Sequence, residues 1–188
     1  DSGNIYGGAM YVDTNATATL NSSTIRNVSA QANSGKVEGG AMDLYTGATA
    51  ILNSSTIAHI SARSNSGNVE GGAMRLSLAA TATLDSSTLQ GASVISKSST
   101  ARGGGLFVYG DAILAATSVI DCLAWSATEC AEGGGLFVGD GSVLLQAGTR
   151  FTNNRAPTGA NIYPLGGSTH YVFPIPPGSW LPNAVRTH

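Results

Sequence analysis

The chain has 188 residues, with 9 Lys or Arg against 11 Asp or Glu, and a formal net charge of −2 at pH 7. Charged residues make up 11% of the sequence, against about 25% in an average domain, which argues against a protein that binds nucleic acid through phosphates or seeks a charged membrane surface. Hydrophobic residues make up 42%, enough for a core, and no apolar run reaches the roughly 18 residues of a membrane span.

A tandem repeat is the main feature of residues 3–163. Each unit starts with two glycines, a small residue and an apolar residue, and this motif recurs at a constant interval that shortens slightly at the last step. The five motifs begin at Gly7, Gly39, Gly71, Gly103 and Gly133. Self-similarity at such an interval is typical of solenoids, in which each unit buries its apolar face against the next.

Within each unit the apolar residues alternate with a period of two, which predicts short strands rather than helices. A first strand follows the glycines, a second contains Thr-rich stretches such as 16–20, and a third follows a Ser-Ser-Thr segment. We expect a β-solenoid of about five rungs of 30–32 residues, with three short strands each. The predicted core columns are Leu20, Leu52, Leu84 and Leu114, and Ile25, Ile57, Leu89, Val119 and Phe151.

Stacking also predicts the roles of the polar positions. The Gly pair is expected at a tight corner, where a Cβ would clash or φ is positive. Two hydroxyl columns are expected to bond along the stack, namely Ser22, Ser54 and Ser86, and Thr24, Thr56 and Thr88. The segments 29–38, 61–70, 93–102 and 123–132 are interpreted as variable inter-rung loops on one side of the stack, where recognition would lie.

The repeated Gly-Gly-Ala/Gly-Met/Leu-x-Val pattern with its Ser/Thr-rich strand resembles the repeats of secreted right-handed parallel β-helix proteins of the pectin-lyase-like fold. The polymorphic outer-membrane protein repeats of bacterial surface adhesins are the nearest resemblance, and Phe151-Thr152-Asn153-Asn154 matches their Phe-x-x-Asn motif. Units one to four lack that Phe. The resemblance implies an all-β, right-handed parallel β-helix.

The two ends of the chain differ. Ser2-Gly3-Asn4-Ile5 aligns with Ser34 to Val37, so the chain is expected to start within the loop of an earlier rung. We interpret it either as a piece of a longer protein or as a processed form whose first rung meets a partner. Residues 1–163 are assigned to the repeats, and 164–188, which contain five of the six prolines, to a Pro-rich C-terminal cap or linker.

The two cysteines, Cys122 and Cys130, are predicted to form a disulfide across the intervening loop, since neither metal ligands nor a His partner accompany them. Such a bond indicates an oxidising compartment. Four sequons are possible N-glycosylation sites in a eukaryotic secretory pathway, at Asn15, Asn21, Asn27 and Asn53.

We find no candidate catalytic or metal-binding set and expect no cofactor. Glu38 and Glu70 share one column with Arg102, and adjacent rungs would place their carboxylates about 5 Å apart, near the spacing of retaining glycosidases. We interpret them as solvated charges neutralised by Arg102, and Asp43 with Arg75 as an ordinary exposed ion pair worth under about 1 kcal/mol.

Two outward surfaces are candidate binding faces. A Thr-x-Thr array of the kind seen on ice-binding β-solenoids is predicted at Thr17, Thr19, Thr49, Thr81 and Thr83. It is short, because the outward positions become Asp111 and Ile113 and then Val143 and Leu145. Tyr11, Phe107 and Phe137 form a possible aromatic contact column that could stack on sugars.

The sequence thus favours an extracellular or cell-surface β-helix with a structural or adhesive role and no catalysis. Its expected partners are proteins or glycans at the cell surface, or neighbouring chains of one assembly. We expect no binding to nucleic acid and no membrane span in this segment. Two alternatives stay open: an ice-binding protein that uses the Thr-x-Thr face, and a carbohydrate-binding or polysaccharide-active β-helix.

Overall fold

The computed structural model describes residues 3–166 and the backbone of residues 168–172. This part of the chain is all-β, and its strands follow a repeating order along the chain. The first turn contains β1 (Ile5–Tyr6), β2 (Met10–Val12), β3 (Thr17–Asn21), β4 (Thr24–Arg26) and β5 (Ser29–Ala32). The second contains β6 (Val37–Glu38), β7 (Met42–Leu44), β8 (Thr49–Asn53), β9 (Thr56–Ala58) and β10 (Ser61–Ser64).

The later turns repeat this order. The third contains β11 (Val69–Glu70), β12 (Met74–Leu76), β13 (Thr81–Asp85), β14 (Thr88–Gln90) and β15 (Ser93–Ser96). The fourth contains β16 (Ala101–Arg102), β17 (Leu106–Val108), β18 (Asp111–Ala115), β19 (Ser118–Ile120) and β20 (Leu123–Ser126). The last strands are β21 (Ala131–Glu132), β22 (Leu136–Val138), β23 (Ser142–Gln146), β24 (Arg150–Thr152), β25 (Ile162–Pro164) and β26 (Ser168–Val172).

Equivalent strands of successive turns pair in parallel, which confirms the predicted β-solenoid. They form five sheets. Three of them enclose the main core and are called the body: the floor sheet (β2, β7, β12, β17, β22, β25), the threonine sheet (β3, β8, β13, β18, β23, β26) and the corner sheet (β4, β9, β14, β19, β24). The other two are called the flange: the outer flange sheet (β5, β10, β15, β20) and the inner flange sheet (β1, β6, β11, β16, β21).

The predicted core columns form the interior of the body. Leu52, Leu84 and Leu114 are fully buried, and Leu20 is nearly so. Ile57, Leu89 and Val119 are also fully buried, whereas Ile25 and Phe151, at the two ends of their column, are partly buried and pack against the same cluster. Residue pairs such as Leu20 with Leu52 and Leu52 with Leu84 confirm the predicted stacking register.

The flange corrects the interpretation of residues 29–38 and their equivalents as variable loops. Each segment forms two strands joined by a short turn, and these strands enclose a second hydrophobic core, separate from that of the body. Alanine and valine line it: Ala30, Ala32, Val37, Ala62, Val69, Val94, Ala101, Ala124 and Ala131. Because such side chains are small, the two flange sheets approach closely and the segment folds into a thin double layer.

The Gly pair forms the corner between flange and body, as the sequence predicted. Gly39 has a φ of 65°, and a Cβ there would clash with the carbonyl of Met42. A Cβ on Gly40 would lie 2.9 Å from the Ala62 Cβ. The corner therefore turns sharply and brings the inner flange sheet against the edge of the floor sheet.

The hydroxyl ladder lies one position later than expected. Ser22, Ser54 and Ser86 have positive φ values at exposed turns, so their side chains do not point into the stack. Instead, the Ser55 and Ser87 hydroxyls donate to the carbonyls of Leu20 and Leu52, and the Ser55 amide donates to the Ser87 hydroxyl. These bonds satisfy polar groups that the turn leaves inside the solenoid.

The C-terminal part continues the solenoid for some distance beyond residue 163. Strand β25 pairs with β22, and β26 pairs with β23 over Ser168–Val172. The prediction of a Pro-rich cap or linker over 164–188 falls mainly on residues 173–188, which lie outside the described residues.

Candidate binding groove

Two columns of side chains meet at the junction between the inner flange sheet and the floor sheet, and together they are called the groove. One column is on the flange strands: Tyr6, Glu38, Glu70, Arg102 and Glu132. The other is on the floor strands: Tyr11, Asp43, Arg75, Phe107, Phe137 and Tyr163. Both columns point away from the cores of their own sheets, yet most members are buried because the flange stands over the floor.

Arg75 is the centre of the middle part of the groove. Its Nη1 lies 3.1 Å from Asp43 Oδ1 and 3.3 Å from Glu38 Oε2, and its Nε lies 3.4 Å from Glu70 Oε2. One guanidinium thus bridges three carboxylates from three strands. Lys36 Nζ, 3.9 Å from Glu38 Oε1, adds a second positive charge at the rim.

This arrangement corrects two interpretations of the charged residues. Asp43 is fully buried and the Arg75 side chain is only 11% exposed, so they are not an ordinary exposed ion pair. Glu38 and Glu70 are also buried rather than solvated, and Arg75 binds them, whereas Arg102 donates to Glu132 Oε2 at 2.9 Å. The physical reason is the flange, which excludes water from a face that a lone sheet would expose.

Burial has the largest effect on the pKa values of Asp43 and Glu70, two of the carboxyl groups that Arg75 bridges. It raises the pKa of Asp43 to about 6, an effect that the Arg75 guanidinium offsets only in part. Burial likewise raises the pKa of Glu70. Asp43 Oδ2 is buried and has no hydrogen-bond partner among the described residues, so one oxygen of this carboxyl group is desolvated without compensation.

The aromatic column is divided between the two ends of the groove. Phe107 and Phe137 are fully buried, with ring centroids 5.0 Å apart and nearly parallel rings, and Tyr163 stacks on Phe137 at 5.6 Å. The Arg102 guanidinium lies 5.1 Å from the Phe137 ring centroid. Phe107 and Phe137 were predicted as outward contact residues, but the flange covers them. Of the predicted aromatic column, only Tyr11 is exposed.

Tyr6 and Tyr45 join Tyr11 at the N-terminal end of the groove. Ring centroids are 6.2 Å apart for Tyr6 and Tyr11 and 6.0 Å apart for Tyr11 and Tyr45. Sequence reasoning did not select Tyr45 or the bridging role of Arg75. The signal available in the sequence was that charged or aromatic residues flank every Gly pair, as Glu38 and Asp43 do.

The residues of the threonine array align in register over three rungs, but the residues predicted to point outward at its end do not all do so. Thr17, Thr49 and Thr81 are paired in register, and the Thr49 and Thr81 hydroxyls lie 3.2 Å apart. Thr19 and Thr83 flank Ile51 in the neighbouring column. Beyond Asp111 and Ile113, however, the outward residues are Ser142 and Leu144.

Val143 and Leu145, predicted to point outward, are buried in the body core. The predicted alignment places Val143 beside Asp111, but Asp111 pairs with Ser142. Because side chains alternate along a strand, a shift of a single position reverses the face of every side chain in it.

The predicted disulfide is not formed. Cys122 is buried in the body core, with Sγ 3.4 Å from the Ile120 carbonyl oxygen, whereas Cys130 is exposed, and both thiols are free. Cys122 points into the solenoid at the position where the chain leaves the corner sheet, so it faces away from the flange turn that carries Cys130. Burial raises the pKa of the Cys122 thiol to about 11.

The four sequon asparagines are exposed. Asn15 and Asn27 lie in turns with φ near 57° and 58°, and Asn53 Nδ2 donates to Asn21 Oδ1 at 2.9 Å. Asn21 and Asn53 are the last residues of β3 and β8 in the threonine sheet. None of the four asparagines therefore belongs to the columns of the groove.

Comparisons with family models, with curated proteins and with solved structures find no match to this chain. Within the described part of the chain, no helix could cross a membrane. Groups of three or more His, Cys, Asp or Glu side chains arranged to hold a metal ion are likewise absent from the described residues.

Proposed function

We propose that the chain is a non-catalytic recognition module of an extracellular or cell-surface protein, in which the solenoid holds a ligand-binding groove in a fixed shape. The observation that carries this proposal is the convergence of two polar and aromatic columns, one from the flange and one from the floor, along successive turns. These ordered polar and aromatic side chains come in addition to the apolar columns that fill the two cores.

The groove is rigid before any ligand arrives. Arg75 holds Glu38, Asp43 and Glu70 together, and Arg102 is fixed between Glu132 and the Phe137 ring. Side chains already ordered lose little conformational freedom on binding, which favours affinity and specificity. The carboxylates of Glu70, Asp43 and Glu132 accept bonds from guanidinium groups, an arrangement suited to holding a surface in place rather than to transferring protons.

Two observations support the extracellular setting. The repeat pattern resembles that of secreted β-helix proteins and of bacterial surface adhesins, and the four sequons are exposed. The free thiols lend no support to an oxidising compartment. The extracellular setting is therefore proposed from the repeat pattern and the exposed sequons, and not from the cysteines.

The test is binding of the purified chain to arrays of oligosaccharides and extracellular-matrix proteins, with mass spectrometry of the bound ligands. We expect saturable, reversible binding without any change in ligand mass. Arg102→Ala, which opens the groove, should weaken binding, whereas Arg150→Ala, at an exposed position on the corner sheet, should not. Cleaved ligand would indicate a polysaccharide-active enzyme instead, and an absence of binding on every array would refute the proposal.

The threonine sheet favours ice binding as a second candidate function. Thr17, Thr49 and Thr81 form one straight outward column on three successive parallel strands. Ice binding predicts thermal hysteresis in the wild-type chain that disappears in Thr81→Lys and persists in Arg102→Ala. Absence of hysteresis in the wild type removes this alternative.

A further inference from the structure

The outer flange sheet has one side on the flange core and the other on the surface of the molecule. Ala62 and Val94 point into the core, and the residues that alternate with them point outward in two columns. This outward side is called the flange face, and its columns are Ser29, Ser61, Ser93 and Leu123, and Gln31, Arg63, Ile95 and Trp125. The groove is on the inner flange sheet, across the flange core, so the flange face is a separate surface.

The flange face is positively charged, although the chain as a whole has a net charge of −2. The flange segments 27–37, 59–69 and 91–101 contain Lys36, Arg63 and Lys97 but no Asp or Glu. Lys36 lies 3.9 Å from Glu38, whereas none of the ion pairs among the described residues includes Arg63 or Lys97. Both side chains are exposed in turns that have a flange strand on either side. Their exposure is therefore a property of the repeat.

Arg63 and Lys97 line a pocket of about 140 Å³, together with Gln31, Asn65 and Ile95. Arg63 pairs with Ile95, and Lys97 lies two residues beyond Ile95, so the Cα atoms of the two cations are about 8 Å apart. Arg63 Nε donates to Ser61 Oγ at 2.9 Å, which anchors the guanidinium group and leaves its terminal nitrogens for a ligand. A water molecule takes up about 30 Å³, so the pocket has room for about five atoms, the size of a sulfate group.

The other charged groups near the flange face lie at its borders. Asp121 and Glu129 are exposed on either side of β20, in the fourth turn. His59 begins the second flange segment, and Arg155 pairs with Leu123 beyond β20. The carboxylates of the groove lie across the flange core, where Arg75 bridges three of them. An anionic group is therefore favoured at the pocket and disfavoured beside β20.

This distribution favours a ligand that carries an anionic group next to a neutral ring. Ile95 lines the pocket, and the exposed Trp125 follows it in the same column, about 4.8 Å further along the stack. A sugar ring beside an anionic group in the pocket can stack on these two side chains. Nucleic acid, which carries a phosphate on every unit, would also place charges against Asp121 and Glu129.

We propose that the flange face is a binding site for a sulfated glycan, in which Arg63 and Lys97 bind a sulfate group while Ile95 and Trp125 contact a neighbouring neutral ring. Sulfate suits the pocket better than carboxylate does. Its additional terminal oxygen accepts a bond from an amide such as that of Gln31, besides those from the guanidinium and ammonium groups. The site lies outside the groove and goes beyond the function proposed for it.

The test measures binding of the intact chain to a κ-carrageenan oligosaccharide, which carries one sulfate on every second ring, and to the same oligosaccharide after desulfation. An oligogalacturonate of equal length and a single-stranded oligonucleotide are the competing anions. Arg63→Ala, Lys97→Ala and Trp125→Ala alter the site. Arg150→Ala is the matched control, because it removes the same charge from an exposed position on the corner sheet. Melting temperatures show that all variants fold.

We expect the desulfated probe to bind at least about tenfold more weakly than the sulfated one. Binding of the sulfated probe should weaken by about five- to tenfold in Arg63→Ala and in Lys97→Ala, and by about threefold in Trp125→Ala. It should stay unchanged in Arg150→Ala. No binding of the sulfated probe, equal binding of the two forms, or equal losses in Arg150→Ala and Arg63→Ala would overturn the site. Tighter binding of the oligogalacturonate or the oligonucleotide would also overturn it.

Arg102→Ala separates this site from the groove. Binding of the sulfated probe that is lost in Arg102→Ala but kept in Arg63→Ala assigns the glycan to the groove, so the flange site fails and the proposed function stands. Binding that is weakened in Arg63→Ala and unchanged in Arg102→Ala supports the flange site, whatever the arrays show for the groove.

Discussion

The body and the flange are built from the same repeat by two different kinds of packing. The body encloses columns of large aliphatic side chains, such as Leu52 and Leu84, that fill the space between three sheets. The flange contains mainly alanine and valine, such as Ala62 and Val69, so that its two sheets lie close together. Both are stacked with the same register, since the pairs Leu52–Leu84 and Ala62–Val94 each join equivalent positions of neighbouring units.

This difference explains why the molecule has a groove. A convex solenoid body exposes its outward side chains, as the threonine sheet does with Thr17 and Thr81. The floor sheet belongs to the same body, yet its outward residues Asp43 and Phe107 are buried, because the flange stands beside them. A thin second core at one corner is thus enough to turn an exposed sheet face into a buried cluster of polar and aromatic side chains.

The largest effect is expected from a charge in the body core. Leu52→Asp places a carboxylate in a fully buried position without a partner, and we expect the unfolding free energy to fall by about 4 kcal/mol or more. Circular dichroism during thermal and urea unfolding measures this. Leu78→Asp, at a leucine that is 66% exposed, is the matched control and should stay within about 0.5 kcal/mol of wild type. Equal melting temperatures for both variants would show that the assigned register is wrong.

The body core should be destabilised by a smaller side chain and the flange core by a larger one. Leu84→Ala leaves a cavity in the body and should cost about 2–5 kcal/mol. Ala62→Leu overfills the flange, where its Cβ already lies close to Gly40, and should cost about 1–3 kcal/mol. Urea denaturation of both variants is the measurement, with Ala127→Leu at an exposed flange position as the control. A neutral Ala62→Leu would indicate that the flange is an open loop without a packed core.

The groove should make stability depend on pH through Asp43. Its pKa is raised to about 6 in the folded chain, against about 3.9 in an unfolded one, so the folded state binds more protons between pH 4 and 6. The unfolding free energy therefore falls as pH rises through this window, by about 2 kcal/mol, and Glu70 acts in the same direction. Asp43→Asn should flatten this part of the profile.

Urea unfolding at pH 4, 5, 6 and 7 provides the comparison. Asp140→Asn, at an exposed position outside the cluster, serves as control and should retain the wild-type slope. A profile that is unchanged in Asp43→Asn would mean that the buried carboxylate cluster does not form in solution.

The smallest effect concerns the thiols. Without reduction, an alkylating reagent should modify Cys130 rapidly and Cys122 only after unfolding, because the latter is buried and burial raises its pKa to about 11. A reducing agent should leave the melting temperature unchanged. Mass spectrometry that finds neither thiol modified in the unfolded, unreduced chain would restore the disulfide.

The body could be predicted from the sequence because its signal is strong. Large apolar residues at every second position, such as Met42 and Leu44, repeat in five units and allow one consistent stacking. The flange carried no such signal. Its strands read Ser29-Ala30-Gln31-Ala32 or Ser61-Ala62-Arg63-Ser64, and small or polar residues of this kind are as typical of loops as of thin sheets.

The candidate site was missed for a related reason. Alternation shows that Phe107 and Asp43 point away from the body core, but whether an outward residue is exposed depends on the sheet that stands opposite. Whether an outward floor residue is exposed depends on the angle between the flange and the floor sheet. The Gly corner sets this angle, and the hydrophobic pattern of the sequence does not predict it. The fifth threonine-sheet strand was misplaced because the interval between units changes there, and a shift of a single position exchanges Val143 with Leu144.

The most direct test of the central claim, that a folded flange stands beside the body and encloses the groove, is amide hydrogen exchange of the free chain by mass spectrometry. Amides of residues 61–64 and 93–96 bond to neighbouring turns in the outer flange sheet, so they should be protected to a similar degree as those of the body strands 49–53 and 81–85. Full exchange of the flange peptides within seconds, with protection confined to the body, would contradict the claim, because a mobile flange could not hold a preformed groove.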